Sequence, residues 1–171
     1  KMNQEKFKKI KKACFLDRDG VINEDIGYLY RVEDFKWIEG AIEAIKYLKK
    51  KNFLIIVISN QSGVERGFYK KEDVKKLHNW INNELKKIGS SIDDFFFSTE
   101  LPSERPKERK PSPKMINFAL EKYKLEKNKC FLIGDKNSDV EAAKNAGIKG
   151  YLFKGGNLLN KIQKILQENY K

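Results

Sequence analysis

A short apolar run at 14–16 leads directly into Asp17-Arg18-Asp19-Gly20, and this junction constrains the fold more than any other stretch. Side chains alternate along a strand, so we expect Asp17 and Asp19 to share one face while Arg18 turns aside. Two carboxylates held so close together require a compensating charge, and a hard cation such as Mg²⁺ prefers oxygen ligands. Gly20 permits a sharp turn that leaves both acids exposed at a strand end. An Asp-Gly hairpin turn would explain this stretch equally well if it stood alone.

The composition is that of a globular protein, and 171 residues predict one domain spanning residues 1–171. The net charge of +12 raises the question of a nucleic-acid partner. However, only five of the 36 basic residues are arginines, and the lysines are scattered among acids on predicted helix surfaces. The interleaved arginines and aromatics of a nucleic-acid-binding face are missing, so nucleic acid is not expected as a partner.

Cysteine usage and hydropathy bear on the location of the protein. Cys14 and Cys130 lie in apolar runs and are expected to be small buried hydrophobic residues. The segment 1–12 is basic and amphipathic but lacks the apolar core of a signal peptide. No run reaches the roughly 18 apolar residues that span a membrane. We therefore expect a cytoplasmic protein with no membrane partner. A monomer is a separate expectation that these features do not establish.

Apolar runs alternate with amphipathic helical patterns along the chain. Strands are predicted at 14–16, 53–59, 92–98, 129–133 and 148–153, and helices at 39–51, 73–87, 113–123, 140–146 and 158–166. This order removes the hairpin alternative, because a helix and a parallel strand follow the first strand. It predicts an α/β, Rossmann-like fold with a mainly parallel sheet of five or six strands, helices on both faces and no large cap domain. His78, the only histidine, borders an apolar stripe and is expected to pack or lie at the surface.

Polar loops follow the predicted strands. The segment 23–34 has neither helical nor strand periodicity and is expected to be an ordered loop over the first strand end. All four prolines lie within 101–113, so this segment is expected to be a shaped loop. In parallel sheets, ligands bind outside the carboxyl ends of the strands. The groups expected to meet there predict a site for Mg²⁺ and phosphate: Asp17, Asp19, Ser59, Asn60, Arg109, Lys110, Asp135 and Lys136.

These stretches resemble the four motifs of the haloacid dehalogenase (HAD) superfamily of phosphohydrolases: Asp17-Arg18-Asp19-Gly20, Ser59, Lys110, and Gly134-Asp135 with Asp139. Residues 25–28, 60–67, 109–111 and 134–136 further resemble the D-glycero-D-manno-heptose 1,7-bisphosphate 7-phosphatase branch, whose relatives are the histidinol-phosphate phosphatases. The resemblance implies a HAD fold and a cytoplasmic hydrolase that removes the 7-phosphate of this small sugar phosphate. That reaction belongs to the biosynthesis of nucleotide-activated heptose and lipopolysaccharide.

The resemblance also implies a role for each matched residue. Asp17 would attack phosphorus to give an aspartyl-phosphate, and Asp19 would protonate the leaving alkoxide and then activate water. Ser59 and Lys110 would bind phosphate oxygens. Mg²⁺ would be held by Asp17, by Asp135 and by the backbone carbonyl of Asp19. The residues implied in substrate binding are Asp25, Ile26, Gly27, Tyr28, Ser59, Asn60, Gln61, Ser62, Arg109, Lys110 and Lys136.

Two further expectations concern the surroundings of the metal and the loop after the third strand. Asp139 is expected to orient the metal site rather than to bind the ion. Family members often carry Cys and His ligands of a structural zinc in that loop, but residues 101–109 contain neither, so no structural zinc is expected. We hypothesise that the prolines partly replace the zinc by stiffening the loop.

Two alternative functions stay open on the sequence. Histidinol phosphate offers a phosphate ester to the same residues. The net charge of +12 is the reason to consider a nucleic-acid 3′-phosphatase or a nucleic-acid-binding module.

Overall fold

The computed structural model describes residues 11–169, so nearly all of the basic segment at 1–12 lies outside the described residues. Within this range, five strands form one parallel sheet in the order β3-β2-β1-β4-β5. The strands are β1 Ala13–Leu16, β2 Leu54–Asn60, β3 Asp94–Ser98, β4 Phe131–Gly134 and β5 Lys149–Leu152. The helices are α1 Ala41–Lys50, α2 Lys71–Lys86, α3 Lys114–Lys122, α4 Asn137–Ala146 and α5 Leu158–Asn169, with short 3₁₀ helices at Val32–Asp34 and Lys127–Lys129. No helix of the described range is long and apolar enough to cross a membrane.

Strand β1 lies at the centre of the sheet. Cys14 pairs with Ile55 of β2 on one side and with Phe131 of β4 on the other. Every residue of β1 is buried, as expected for a central parallel strand covered on both faces. Cys14 and Cys130 are buried, which confirms the prediction from their apolar surroundings.

The alternation of side chains along β1 separates two hydrophobic cores. Cys14 and Leu16 pack in one core with residues of α1, α2 and α5. Ala13 and Phe15 pack in the other with residues of α3 and α4. Just beyond the end of β1, Asp17 contacts Lys110, which in turn contacts Asp139 of α4. The next residue, Arg18, contacts His78 of α2. The side chains of Asp17 and Arg18 therefore lie on opposite faces of the sheet.

The predicted elements are confirmed, with shifted boundaries that have local causes. Helix α4 begins at 137 rather than 140, because the Asp139 side chain accepts the Lys136 backbone N–H at 3.1 Å and caps the first turn. Strand β3 begins at 94 rather than 92. The reason is that the Ile92 N–H and carbonyl bond to the Asn82 side chain of α2, at 2.7 and 3.0 Å, instead of to a neighbouring strand.

Candidate active site

A cavity of about 310 Å³ opens beside the carboxyl ends of the strands. It brings together groups at or just beyond the ends of β1, β2 and β4 and groups from two loops. Three predicted site residues, Ile26, Ser59 and Asp135, are not among the lining residues; Ile26 is more than half exposed and Ser59 is buried. The lining comprises Asp17, Asp19, Asp25, Gly27, Tyr28, Asn60, Gln61, Ser62, Arg66, Tyr69, Arg109, Lys110, Lys136, Ser138 and Asp139.

Asp17 lies at the base of this cavity, directly after β1. Its backbone N–H donates to the Ile133 carbonyl at 3.0 Å and so extends the pairing with β4. Its carboxylate accepts the Arg18 backbone N–H at 2.9 Å and the Lys110 ammonium at 3.0 Å. Burial raises the pKa of Asp17, while Lys110 opposes that rise and Asp139 adds to it. The carboxylate is therefore held by a cation in a largely dry position.

Lys110 is buried and surrounded by acceptors. Its ammonium donates to the Ile58 carbonyl at 2.7 Å and lies 2.5 Å from an Asp139 carboxylate oxygen. Burial disfavours the charged form, but the carboxylates of Asp17 and Asp139 outweigh burial and raise the pKa of Lys110. The Asn60 side-chain amide accepts the Lys110 N–H at 3.0 Å and donates to the Lys110 carbonyl at 3.2 Å. Asn60 thus fixes the backbone from which the ammonium reaches Asp17.

Three carboxylates form a cluster that can hold a cation. Oxygens of Asp17, Asp135 and Asp139 all lie within 4.8 Å of one another. Within residues 11–169, one buried oxygen of Asp135 has no hydrogen-bond partner, as expected of a metal ligand. One Asp139 oxygen also lacks a hydrogen-bond partner among these residues, but it forms an ion pair with the Lys110 ammonium at 2.5 Å, and the other Asp139 oxygen accepts the Lys136 N–H. A hard cation fits between the Asp17 and Asp135 carboxylates. The Asp139 carboxylate instead binds the Lys110 ammonium and caps the first turn of α4.

The backbone at Gly20 is shaped to bring Asp135 close. Gly20 has a φ of 87°, a left-handed value that favours glycine. A Cβ atom built there would lie 2.2 Å from an Asp135 carboxylate oxygen. Any larger residue would displace the acid that carries the free oxygen. The glycine therefore serves both the turn and the acid cluster.

Asp19 is held by a network that the sequence did not reveal. Arg18, expected only to turn aside from the two acids, donates to Asp19 Oδ1 through Nε at 3.1 Å and Nη2 at 3.0 Å. Asn23 and Gln61 donate their side-chain amides to the same carboxylate at 3.0 and 3.1 Å. The signal available in the sequence was the alternation at β1, which turns Arg18 toward α2.

Gln61 connects three groups beside the cavity. Its amide nitrogen donates to Ser59 Oγ at 2.7 Å as well as to Asp19. Its amide oxygen accepts the Tyr69 hydroxyl at 2.6 Å. Burial raises the pKa of Tyr69 to about 12, so this hydroxyl stays a donor at neutral pH. The position of Gln61, predicted as a substrate contact, is set by Tyr69 and Ser59.

The cavity rim is formed by two loops. In the first, Asp25 accepts the Gly27 N–H at 3.0 Å and shapes the turn before Tyr28. In the second, the Glu100 carboxylate accepts the backbone N–H groups of residues 107, 108 and 109 at 2.8 to 3.1 Å. These bonds lower the pKa of Glu100, with the bond from residue 108 contributing most. The loop is ordered, as predicted, but a carboxylate contributes to its shape in addition to the prolines.

Known proteins match both the sequence and the fold. A protein from Photorhabdus laumondii named D-glycero-α-D-manno-heptose-1,7-bisphosphate 7-phosphatase is 40% identical over 153 residues, covering 85% of this chain and 84% of its own. The family model described as HAD-hydrolase-like matches residues 108–166. The chain belongs to the HAD-like hydrolase family. The HAD superfamily expected from the motifs is therefore confirmed.

Further members of the HAD-like family agree with this assignment. A Rhodopseudomonas palustris protein named D-glycero-β-D-manno-heptose-1,7-bisphosphate 7-phosphatase is 39% identical and covers 91% of each chain. The crystal structure of D,D-heptose 1,7-bisphosphate phosphatase from B. bronchiseptica, complexed with magnesium and phosphate, aligns with a TM-score of 0.78. That structure is 27% identical and covers 90% of this chain and 86% of its own. The α/β fold with a parallel five-stranded sheet is shared with these HAD-like proteins.

Proposed function

We propose that this protein is a Mg²⁺-dependent phosphatase that removes the 7-phosphate of D-glycero-D-manno-heptose 1,7-bisphosphate. The observation that carries the proposal is the position of Asp17 at the cavity base, where its carboxylate accepts the Lys110 ammonium and clusters with those of Asp135 and Asp139. The names of the relatives support the choice of substrate. The proposal treats residues 1–171 as one domain acting as a cytoplasmic monomer.

The residues of the cavity can perform the reaction in two steps. In the first, an Asp17 oxygen forms a bond to phosphorus as the bond to the sugar oxygen breaks, and Asp19 donates a proton to that oxygen. In the second, Asp19 takes a proton from water, which attacks phosphorus, and the Asp17 carboxylate is regenerated as phosphate leaves. Lys110 neutralises charge on the phosphoryl oxygens throughout.

The metal site includes residues to which the two reaction steps also assign roles. The Asp17 and Asp135 carboxylates and the Asp19 backbone carbonyl would hold Mg²⁺, which when bound supplies positive charge to the phosphoryl group. The free buried oxygen of Asp135 supports this choice of ligands. No structural zinc belongs to the proposal, and stoichiometric zinc in the purified protein would contradict it.

The rim is suited to the remainder of a sugar bisphosphate. Arg109 and Lys136 supply positive charge at the cavity, while Asp25 and Tyr28 supply an acceptor and an aromatic face. Gln61 and Ser62 line the cavity and Ser59 is buried beside Gln61, and the polar side chains of these residues would bind the transferred phosphate. Ile26 and Gly27 complete the predicted substrate loop. A second phosphate on the substrate would be attracted by these cations.

The test compares phosphate release by the purified full chain from the α and β anomers of heptose 1,7-bisphosphate and from histidinol phosphate, with Mg²⁺ or with EDTA. We expect kcat/KM for the preferred sugar bisphosphate to exceed that for histidinol phosphate by at least about tenfold, since charged contacts to the second phosphate are missing from the latter. EDTA should remove activity and Mg²⁺ should restore it. Higher kcat/KM on histidinol phosphate, or on a DNA 3′-phosphate, would overturn the proposal.

A further inference from the structure

We propose that Arg18 and His78 are positioning residues that hold the Asp19 carboxylate in the orientation for proton transfer. The inference deepens the proposed function and rests on the acid–base role given there to Asp19. It assigns a role to a buried arginine and to the only histidine of the chain.

Arg18 is a completely buried cation whose bonds converge on Asp19. Its side chain has no exposed surface, and its Nε and Nη2 atoms both donate to Asp19 Oδ1, at 3.1 and 3.0 Å, while Nη2 also donates to Oδ2 at 3.3 Å. The planar guanidinium restricts the position of a carboxylate that it binds through two nitrogens. The same Nη2 donates to the Leu29 carbonyl at 2.8 Å. Arg18 therefore links Asp19 to the loop at the cavity rim.

His78 holds the other end of the guanidinium. Its Nε2 lies 3.3 Å from Arg18 Nη1. A guanidinium can only donate, so Nε2 must accept, which places the ring proton on Nδ1 and leaves the imidazole neutral. Burial, and then the charge of Arg18, lower the pKa of His78 to about 3, in agreement with a neutral ring.

Aromatic packing fixes the His78 ring. It stacks on Phe95 of β3 with centroids 4.4 Å apart and meets the edge of Phe97 at 5.8 Å. The chain of contacts thus runs from packed rings under α2, through His78 and Arg18, to Asp19. Loss of the acceptor would leave a buried N–H unpaired and free the guanidinium to move. A displaced proton donor loses much of its catalytic effect, because proton transfer depends on geometry within hydrogen-bonding reach.

The deciding experiment measures how kcat/KM depends on the leaving group. A series of substituted phenyl phosphates, from p-nitrophenyl to unsubstituted phenyl, is hydrolysed with Mg²⁺ by the full chain. A good leaving group departs without a proton, whereas a poor one requires it, so loss of proton donation steepens the dependence. We expect His78→Leu to lower kcat/KM for phenyl phosphate about tenfold more than for p-nitrophenyl phosphate, and Arg18→Gln about a hundredfold more.

Three controls separate this role from simple destabilisation. His78→Gln keeps an acceptor and should restore most of the leaving-group behaviour of the native protein. Ile81→Ala removes buried packing from the same helix and should lower the unfolding midpoint without changing the leaving-group dependence. Circular dichroism checks each fold, and if Arg18→Gln does not fold, the comparison of His78→Leu with His78→Gln decides.

Asp19→Asn distinguishes failure of the inference from failure of the proposed function. If Asp19→Asn steepens the dependence while His78→Leu lowers all substrates equally, the inference is overturned and the proposed mechanism stands. If Asp19→Asn leaves the leaving-group dependence unchanged, Asp19 is not the proton donor. Both the inference and the proposed mechanism are then overturned.

Discussion

The inner wall and the outer rim of the cavity are held in different ways. The inner wall consists of Asp17, Lys110 and Asp139, whose charges are buried against the ends of β1, β2 and β4. The outer rim is the loop at 100–109, where the partly exposed Glu100 carboxylate accepts backbone N–H groups of residues 107–109 and only Arg109 of these residues lines the cavity. The loss of a partner strongly destabilises a buried charge, whereas water screens a more exposed charge. Changes in the inner wall should therefore affect chemistry and stability together, and changes at the rim should affect substrate binding.

The largest expected effect comes from the nucleophile assigned to the inner wall. Asp17→Asn keeps the shape of the side chain but removes the attacking oxygen, so kcat should fall by about 10⁴-fold or more. Phosphate release with Mg²⁺ measures the loss, and circular dichroism verifies the fold. Appreciable Mg²⁺-dependent turnover by this variant would refute the assignment of Asp17.

Lys110 tests whether the inner wall couples activity to stability. Lys110→Met leaves two buried carboxylates without their cation, so the free energy of unfolding should fall by about 3–5 kcal/mol in the absence of metal. Activity should fall by about a hundredfold, since a charge on the phosphoryl oxygens is lost. Urea unfolding and initial rates measure the two effects.

A double variant sharpens this prediction. Adding Asp139→Asn to Lys110→Met removes one of the stranded charges and should recover part of the lost stability but none of the activity. An unchanged unfolding free energy in Lys110→Met would show that the inner wall is not held by its charges.

His78, which contacts Arg18 behind the inner wall, should have a smaller, pH-dependent effect on the free energy of unfolding. Its pKa is lowered to about 3 by burial and by Arg18, whereas in the unfolded chain it binds a proton below about pH 6.5. Stability should therefore fall as pH decreases below 6.5, by up to about 1.4 kcal/mol per pH unit from this group. His78→Gln should lack this component, so urea unfolding of both proteins between pH 7 and 5 should diverge. Parallel curves would show that His78 is protonated in the folded protein.

The sequence predicted most of the inner wall because its residues lie in segments that follow strands. Asp17 and Lys110 could be placed together, next to Asp135, once a parallel sheet was inferred, since ligands bind at the carboxyl ends of its strands. Arg18 could not be assigned, because one partner, His78, comes from a distant helix and another, the Leu29 carbonyl, belongs to a loop without periodicity. The periodicity of α2 places His78 beside the apolar stripe but does not identify what lies opposite it.

The outer rim was harder to predict for a different physical reason. Prolines indicated a shaped loop, but the backbone N–H groups that Glu100 collects converge only after the loop has folded. Glu100 lies seven to nine residues before its partners and belongs to no periodic pattern. Side-chain bonds to a loop backbone leave little trace in a single sequence.

Substitution of Glu100 should therefore have the smallest effect of these changes, and it most clearly distinguishes the outer rim from the inner wall. Glu100→Gln keeps one carbonyl acceptor but loses the charge that binds three N–H groups, so Arg109 should be less well placed at the cavity. We expect KM for the sugar bisphosphate to rise roughly threefold to tenfold, with kcat and the unfolding midpoint nearly unchanged.

Glu104→Gln is the matched control for Glu100→Gln, because it removes the same charge from an exposed position of the same loop. It should leave KM within about twofold of the native value, since a solvated charge at the rim contributes little by itself. A KM that rises equally in both variants would mean that the net charge of the loop matters rather than its shape. A loss of kcat in Glu100→Gln alone would show that the rim also orients Lys110, so that the two regions act as one.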